Sequence, residues 1–247
     1  MKFHRIAAPL GFGLTLLAAA TGASAQSFTQ GFDGVVVPAG WTTKNLSTSA
    51  STGNPWTVGT GIVDSLGNVI VGPYDGDSFA VVNYSSIGSG SGTINNWFIS
   101  PVITGIKNGD TFSFYTTTTP SSAYPDRLEL RLAQLDSVNV GTTTTSVGDF
   151  SKLLLSVNPT LATGGYPEDW TLETVTVSGL TGPVTGRVAF RYFVTAGGPS
   201  GANSNIIGVD DFSYTSVVTS VPEVGTWAMF AAGLVGVAAL RRRSTAV

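Results

Sequence analysis

The chain is predicted to fold as a sandwich of antiparallel β-sheets, and three features of its 247 residues predict it. Short runs alternate polar with apolar side chains, turn-forming clusters separate those runs, and long helical patterns are missing from the central region. Alternation over a few residues marks strands with one buried face. Many such strands joined by Gly- and Pro-rich connections build sandwiches rather than parallel sheets.

The elements follow in order. Thr111-Phe112-Ser113-Phe114 alternates polar with apolar. Residues 126–132 place Leu128, Leu130 and Leu132 on one face and Arg127, Glu129 and Arg131 on the other. Leu172, Thr174 and Thr176 oppose Glu173, Val175 and Val177; Val188, Phe190 and Tyr192 oppose Ala189, Arg191 and Phe193. Between them lie Gly53-Asn54-Pro55, residues 72–77, residues 88–92, Lys107-Asn108-Gly109-Asp110 and Gly197-Gly198-Pro199. Asn108-Gly109 suits a tight turn, because glycine accepts positive φ. The polar stretches 47–52 and 142–145 read as loops. Each sheet is expected to bury one face.

Both ends read as export signals. Lys2, His4 and Arg5, the apolar stretch from Leu10 to Ala20, and Ala23-Ser24-Ala25 make residues 1–25 a secretory signal peptide, with Gln26 first in the mature chain. At the other end, Val224 to Leu240 carries no charge, and Arg241, Arg242 and Arg243 stop it. As a helix this run would extend about 25 Å, at the short end of what crosses a bilayer core of about 30 Å. A transmembrane helix over 224–240 is expected, with the arginines on the cytoplasmic side.

Between the signals, 26–219 holds about 195 residues, enough for one domain with a substantial core. The formal charge of −3 hides an asymmetry. Setting aside Lys2, Arg5 and Arg241 to Arg243 leaves seven of the 12 basic residues; setting aside Glu223 leaves 14 of the 15 acids, a net of −7. No basic patch survives to attract nucleic acid or an anionic membrane surface. This region has neither histidine nor cysteine, since the single histidine is His4. Sites for zinc, copper or haem, disulfides, and Ser-His-Asp or Cys-His catalysis all lack their residues.

Two family resemblances rest on these residues. Pro222-Glu223, the apolar segment around Trp227-Ala228-Met229, and Arg241 to Arg243 resemble a PEP-CTERM sorting signal spanning 220–243, with Val224 where that family has a second proline. The resemblance implies recognition by an exosortase in a Gram-negative bacterium, cleavage near Pro222-Glu223, and passage from the inner membrane to the surface. Residues 28–215 are similar to the choice-of-anchor J, or cleaved-adhesin, domain. The motifs are Phe28-Thr29-Gln30-Gly31-Phe32-Asp33, Pro38-Ala39-Gly40-Trp41, Asn96 to Pro101, Asp126 to Leu130, Gly148-Asp149-Phe150, Trp170, Val188 to Tyr192, and Ile207 to Phe212, in that order. That resemblance implies a jelly-roll sandwich over 26–219.

It also implies a calcium ion held between Asp33 and the pair Asp210-Asp211. Calcium takes about six to eight oxygen ligands in irregular geometry, and neighbours on a strand point to opposite faces, so one of the pair is the expected side-chain ligand. In the plain alternative, Asp210 caps a bulge and Asp33 begins a turn. Asp75-Gly76-Asp77 lacks the spacing of an EF-hand loop and reads as a turn with solvated aspartates. Trp41, Trp56, Trp97 and Trp170 read as core, Tyr124 and Tyr166 as exposed aromatics.

A glycosidase needs two carboxyl groups roughly 5–10 Å apart across a cleft. Asp126 and Glu129 fall on opposite strand faces, and Glu168-Asp169 reads as a solvated turn. Lys44, Lys107 and Lys152 have no evident serine partner. The reading is therefore a non-enzymatic, exported adhesin-like protein of the cell surface or exopolysaccharide matrix, met by signal peptidase and exosortase. The alternatives are a carbohydrate-binding module for exopolysaccharide and, behind it, a glycan hydrolase. Abundant Ser and Thr also permit O-linked glycosylation.

Overall fold

In the computed structural model, residues 27–34, 36–51 and 56–217 are described. Fourteen strands follow one another among them: β1 (Ser27–Gln30), β2 (Thr42–Asn45), β3 (Thr57–Gly59), β4 (Ile62–Val63), β5 (Val69–Val71), β6 (Phe79–Asn83), β7 (Gly92–Ile99), β8 (Ile103–Ile106), β9 (Thr111–Thr118), β10 (Leu128–Ala133), β11 (Lys152–Val157), β12 (Thr171–Thr176), β13 (Val184–Gly197) and β14 (Ile206–Thr215). One 3-10 turn, Tyr84–Ser86, begins where Asn83 accepts a hydrogen bond from the Ser85 N–H. No helix among the described residues is long and apolar enough to cross a membrane. The expected signal peptide, the helix over 224–240 and the sorting residues Pro222, Glu223 and Arg241 to Arg243 lie outside the described residues.

Twelve of these strands form two antiparallel sheets, and β4 and β5 pair with each other as a separate two-stranded ribbon. The first runs β12-β9-β14-β6-β3, with β1 also paired to β14; the second runs β11-β10-β13-β7-β2, with β8 also paired to β13. The first and last strands of the fold are therefore hydrogen-bond neighbours, Ser27 opposite Thr215. The predicted β-sandwich of antiparallel sheets is the fold of this chain.

Its core is aromatic. Leu128, Leu130 and Leu132 of β10 and Val188, Phe190 and Tyr192 of β13 point inward, as the alternation predicts. They meet Phe112 and Phe114 of β9 and Phe212 and Tyr214 of β14. Phe190 packs edge-on against Phe114 at 4.9 Å and against Phe212 at 5.6 Å, the geometry that aligns a ring's positive edge with its neighbour's negative face.

In β14 the inward residues change phase. Ile207 and Val209 face the core, and so do Phe212 and Tyr214. A bulge between Asp210 and Ser213 supplies the extra residue, and Asp211 within it has φ +46°. An unbulged strand would put one of these pairs outside.

One expectation is corrected. The second sheet buries part of its outer face as well, because the segment 134–151 folds across it. Trp97, Ile99, Ala133, Val140, Phe150 and Ala189 form a second apolar cluster there. Glu129 and Arg191, which alternation assigns to a polar face, are buried at 6% and 1% exposure. Loop 142–145 is part of that cover: the Arg191 guanidinium donates to the Thr145 and Ser146 carbonyls, and Asn95 Nδ2 to those of Thr143 and Ser146.

Candidate functional site

Three segments bring carboxylates together: the turn after β1 with Asp33, the β5–β6 loop with Asp75 and Asp77, and the β14 bulge with Asp210 and Asp211. Backbone donors knit the first two. The Asp77 N–H donates to Asp33 Oδ1 at 3.2 Å, and the Gly34 N–H to Asp77 Oδ1 at 3.1 Å. Ser78 Oγ bridges onward to the Gly34 carbonyl at 2.5 Å. Gly76 has φ +64°, and a Cβ there would fall on Asp33 Oδ1, so only glycine lets this loop lie against the Asp33 carboxylate.

The bulge parts the two β14 aspartates. Asp210 is fully buried and accepts the Asp211 N–H on Oδ1 and the Tyr74 and Asp75 N–H groups on Oδ2. Burial pushes its carboxyl up to about 6, against the pull of those three donors. Asp211 instead approaches Asp33: Asp33 Oδ2 and Asp211 Oδ1 would lie 2.9 and 3.5 Å from a Cβ on Gly31. Burial raises the Asp211 carboxyl, and the charges of Asp75 and Asp33 raise it further.

These donors are all oxygens, the set suited to calcium. Among the described residues, however, no three carboxylates converge as a metal-ligand group. Asp33 and Asp211 approach each other beside Gly31, with Asp75 close enough for its charge to act on Asp211, while the Asp210 oxygens hold the loop backbone.

Elsewhere the structure sorts the other candidates. Trp41, Trp56 and Trp97 are core. Trp170 is half-buried, its indole N–H donating to the Gly72 carbonyl at 2.9 Å. Tyr124 is exposed, but Tyr166, expected outside, is buried with its hydroxyl 2.6 Å from Thr116 Oγ1. The neighbouring Tyr166-Pro167 context suggested a loop, and a loop it is, but one folded inward over β9. Asp126 and Glu129 do point to opposite faces. Glu129 pairs with Arg131 and Arg191, while Asp126 sits inside the sandwich against the Tyr192 hydroxyl. Lys107 is bound to Asp110 and Ser216. Sequence reasoning missed Tyr74 and Tyr115, which stack at 3.5 Å on the outer face of the first sheet; they are adjacent only through the β5–β6 loop.

No protein-family model matches the chain, and no curated protein matches it in sequence. Solved structures do. One cleaved adhesin domain of Lys-gingipain from Porphyromonas gingivalis superposes with a TM-score of 0.52 at 18% identity, covering 78% of this chain and 99% of that one. Another cleaved adhesin domain of the same protein gives 0.52 at 20% identity, with 78% and 100% coverage. At such identities the likeness is one of fold.

Proposed function

We propose that the chain is an exported, non-catalytic adhesin-like module that acts at the cell surface or in the exopolysaccharide matrix of a Gram-negative bacterium. The observation that carries this reading is the sandwich itself, which superposes on cleaved adhesin domains over 78% of the chain. The residues at both ends agree with it. Signal peptidase would release Gln26, and an exosortase would process the chain near Pro222-Glu223, with Arg241 to Arg243 holding the tail at the inner membrane until then. The choice-of-anchor J and PEP-CTERM assignments belong to this proposal.

Calcium enters as the partner of Asp33 and Asp211, with Asp75 beside them. Two carboxylates approaching across Gly31 repel each other, and a divalent cation would remove that repulsion while tying the turn after β1 to β14. A second reading, a carbohydrate-binding module, is supported by the Tyr74–Tyr115 stack beside Trp170 on the outer face of the first sheet.

Intact mass spectrometry of native protein, with cell fractionation, tests the primary reading. It predicts a chain beginning at Gln26, ending near Pro222-Glu223, and recovered from the surface or matrix fraction. A chain keeping Arg241 to Arg243 in the inner-membrane fraction overturns it. A mass equal to the bare polypeptide would separately sink O-glycosylation.

A further inference from the structure

A groove of about 230 Å³ crosses the outer face of the first sheet. Ile70 to Pro73, running from β5 into the loop after it, Thr117 of β9, Pro120, and Glu168 to Trp170 line it. It is formed by residues distinct from the acidic cluster around Asp33 and Asp211.

Trp170 is fixed within it. Its indole N–H is committed to Gly72, and Phe79 meets its ring edge-on at 5.2 Å and 89°. Gly208 lies so close that an added Cβ would come within 2.8 Å of the indole ring. The indole is thereby held in place before any ligand arrives. Beyond it the surface continues through Tyr74, 42% exposed and stacked on Tyr115, and Leu172, 51% exposed.

The polar groups are acceptors. Glu168 Oε2 accepts the Ser121 N–H at 2.9 Å, which leaves its other oxygen for a ligand. Asp169 is exposed. No lysine or arginine lines the groove among the described residues. A phosphorylated or uronate-rich polymer would meet only like charge here. A neutral sugar suits both elements: its C–H face packs on an aromatic ring, and its hydroxyls donate to carboxylates. The volume is below the roughly 300–1,000 Å³ of pockets that enclose a small molecule. It fits a ring or two of a longer chain lying across the surface.

We propose that this groove binds a neutral polysaccharide, with Trp170 as the packing surface and Glu168 and Asp169 as hydroxyl acceptors. The proposal deepens the carbohydrate reading and is independent of export and processing. Affinity electrophoresis of the purified full chain through gels containing xylan, mixed-linkage β-glucan, galactomannan or dextran, with alginate as the polyanion, tests it. At least one neutral polymer retards the protein and alginate does not. Asp169→Ala and Ile70→Asp each weaken that retardation roughly tenfold, with Tm unchanged because both side chains are exposed. Migration unaffected in all four neutral gels, equal retardation by alginate, or retardation preserved in both variants overturns the proposal. Failure here with correct processing and surface location would remove the groove and leave the adhesin reading intact.

Discussion

Arg191 donates from Nη1 to Glu129 Oε2 at 3.0 Å, and the two residues are register partners on adjacent strands, both buried. The guanidinium also donates through Nε to Asn95 Oδ1 at 2.7 Å and lies 3.6 Å over the Phe193 ring. One side chain thus joins β13 to β10, to β7 and to the covering segment 134–151.

Removing that side chain should loosen the cover before the sandwich. Arg191→Ala leaves Glu129 buried with only Arg131 for charge compensation, a change worth about 3–5 kcal/mol when a buried pair is broken. Arg191→Lys recovers little, because an ammonium cannot reproduce the planar fork. Urea denaturation gives the loss, and limited proteolysis should nick within 134–151 first. A variant as stable and protease-resistant as the parent would refute this.

Asp126 predicts a pH dependence. Burial pushes its carboxyl from 3.8 up to about 6, although Tyr192, the Asn205 N–H and Thr118 all bond to it and pull the other way. Thr118 Oγ1 lies 3.0 Å from Asp126 Oδ2 and 2.7 Å from the Ile206 carbonyl, yet has one proton. If Asp126 is neutral it can donate to Thr118, which then donates to Ile206. The folded value is raised, so this stabilisation is fully present below pH 3.8 and is lost as pH rises through about 6. The span is at most about 3 kcal/mol. Asp126→Asn, whose amide donates as the acid does, should make the fall in stability between pH 4 and 6 shallower, with the Asp210 contribution remaining, and raise stability at pH 7. Parallel stability–pH curves for the two proteins would contradict the assignment.

Calcium should raise the Tm of the protein, by about 2–4 °C for each kcal/mol of binding in a domain of this size. Asp33→Asn and Asp211→Asn should each remove the increment. An identical melt in excess chelator and in excess calcium would dispose of the cation.

Gly208→Ala tests how tightly the outer face is packed. The new methyl would lie 2.8 Å from both the Phe79 and Trp170 rings, of which Phe79 is fully buried and Trp170 half-buried beside the groove. The expected cost is about 1–3 kcal/mol, with a changed tryptophan emission spectrum because Trp170 must shift. Wild-type stability and emission would show that the rings move freely.

The positions of β9, β10, β12 and β13 were legible. Leu128, Leu130 and Leu132, and Val188, Phe190 and Tyr192, alternate because side chains two apart share a face, and that rule needs no knowledge of the partner strand. The turns around Asn108-Gly109 and 72–77 were legible for the same local reason. Asp211 was not: its bulge is defined against β9, and nothing in Val209-Asp210-Asp211-Phe212 alone says which residue is extra. Arg191 and Glu129 alternated as surface residues should, and became interior only because segment 134–151 covers them. Tyr166 sat in a loop by composition and in the core by topology.

Composition and patterns a few residues long establish an acidic all-β domain without histidine or cysteine, set between two apolar stretches that have basic neighbours. The tertiary structure alone decided that β1 lies beside β14, that Asp33 approaches Asp211 while Asp210 turns to the 74–75 backbone, and that Trp170 comes to rest against Gly208 and Phe79. Each of these depends on which strands pair and in what register, and that is settled by burying the whole aromatic core at once, not by any single segment.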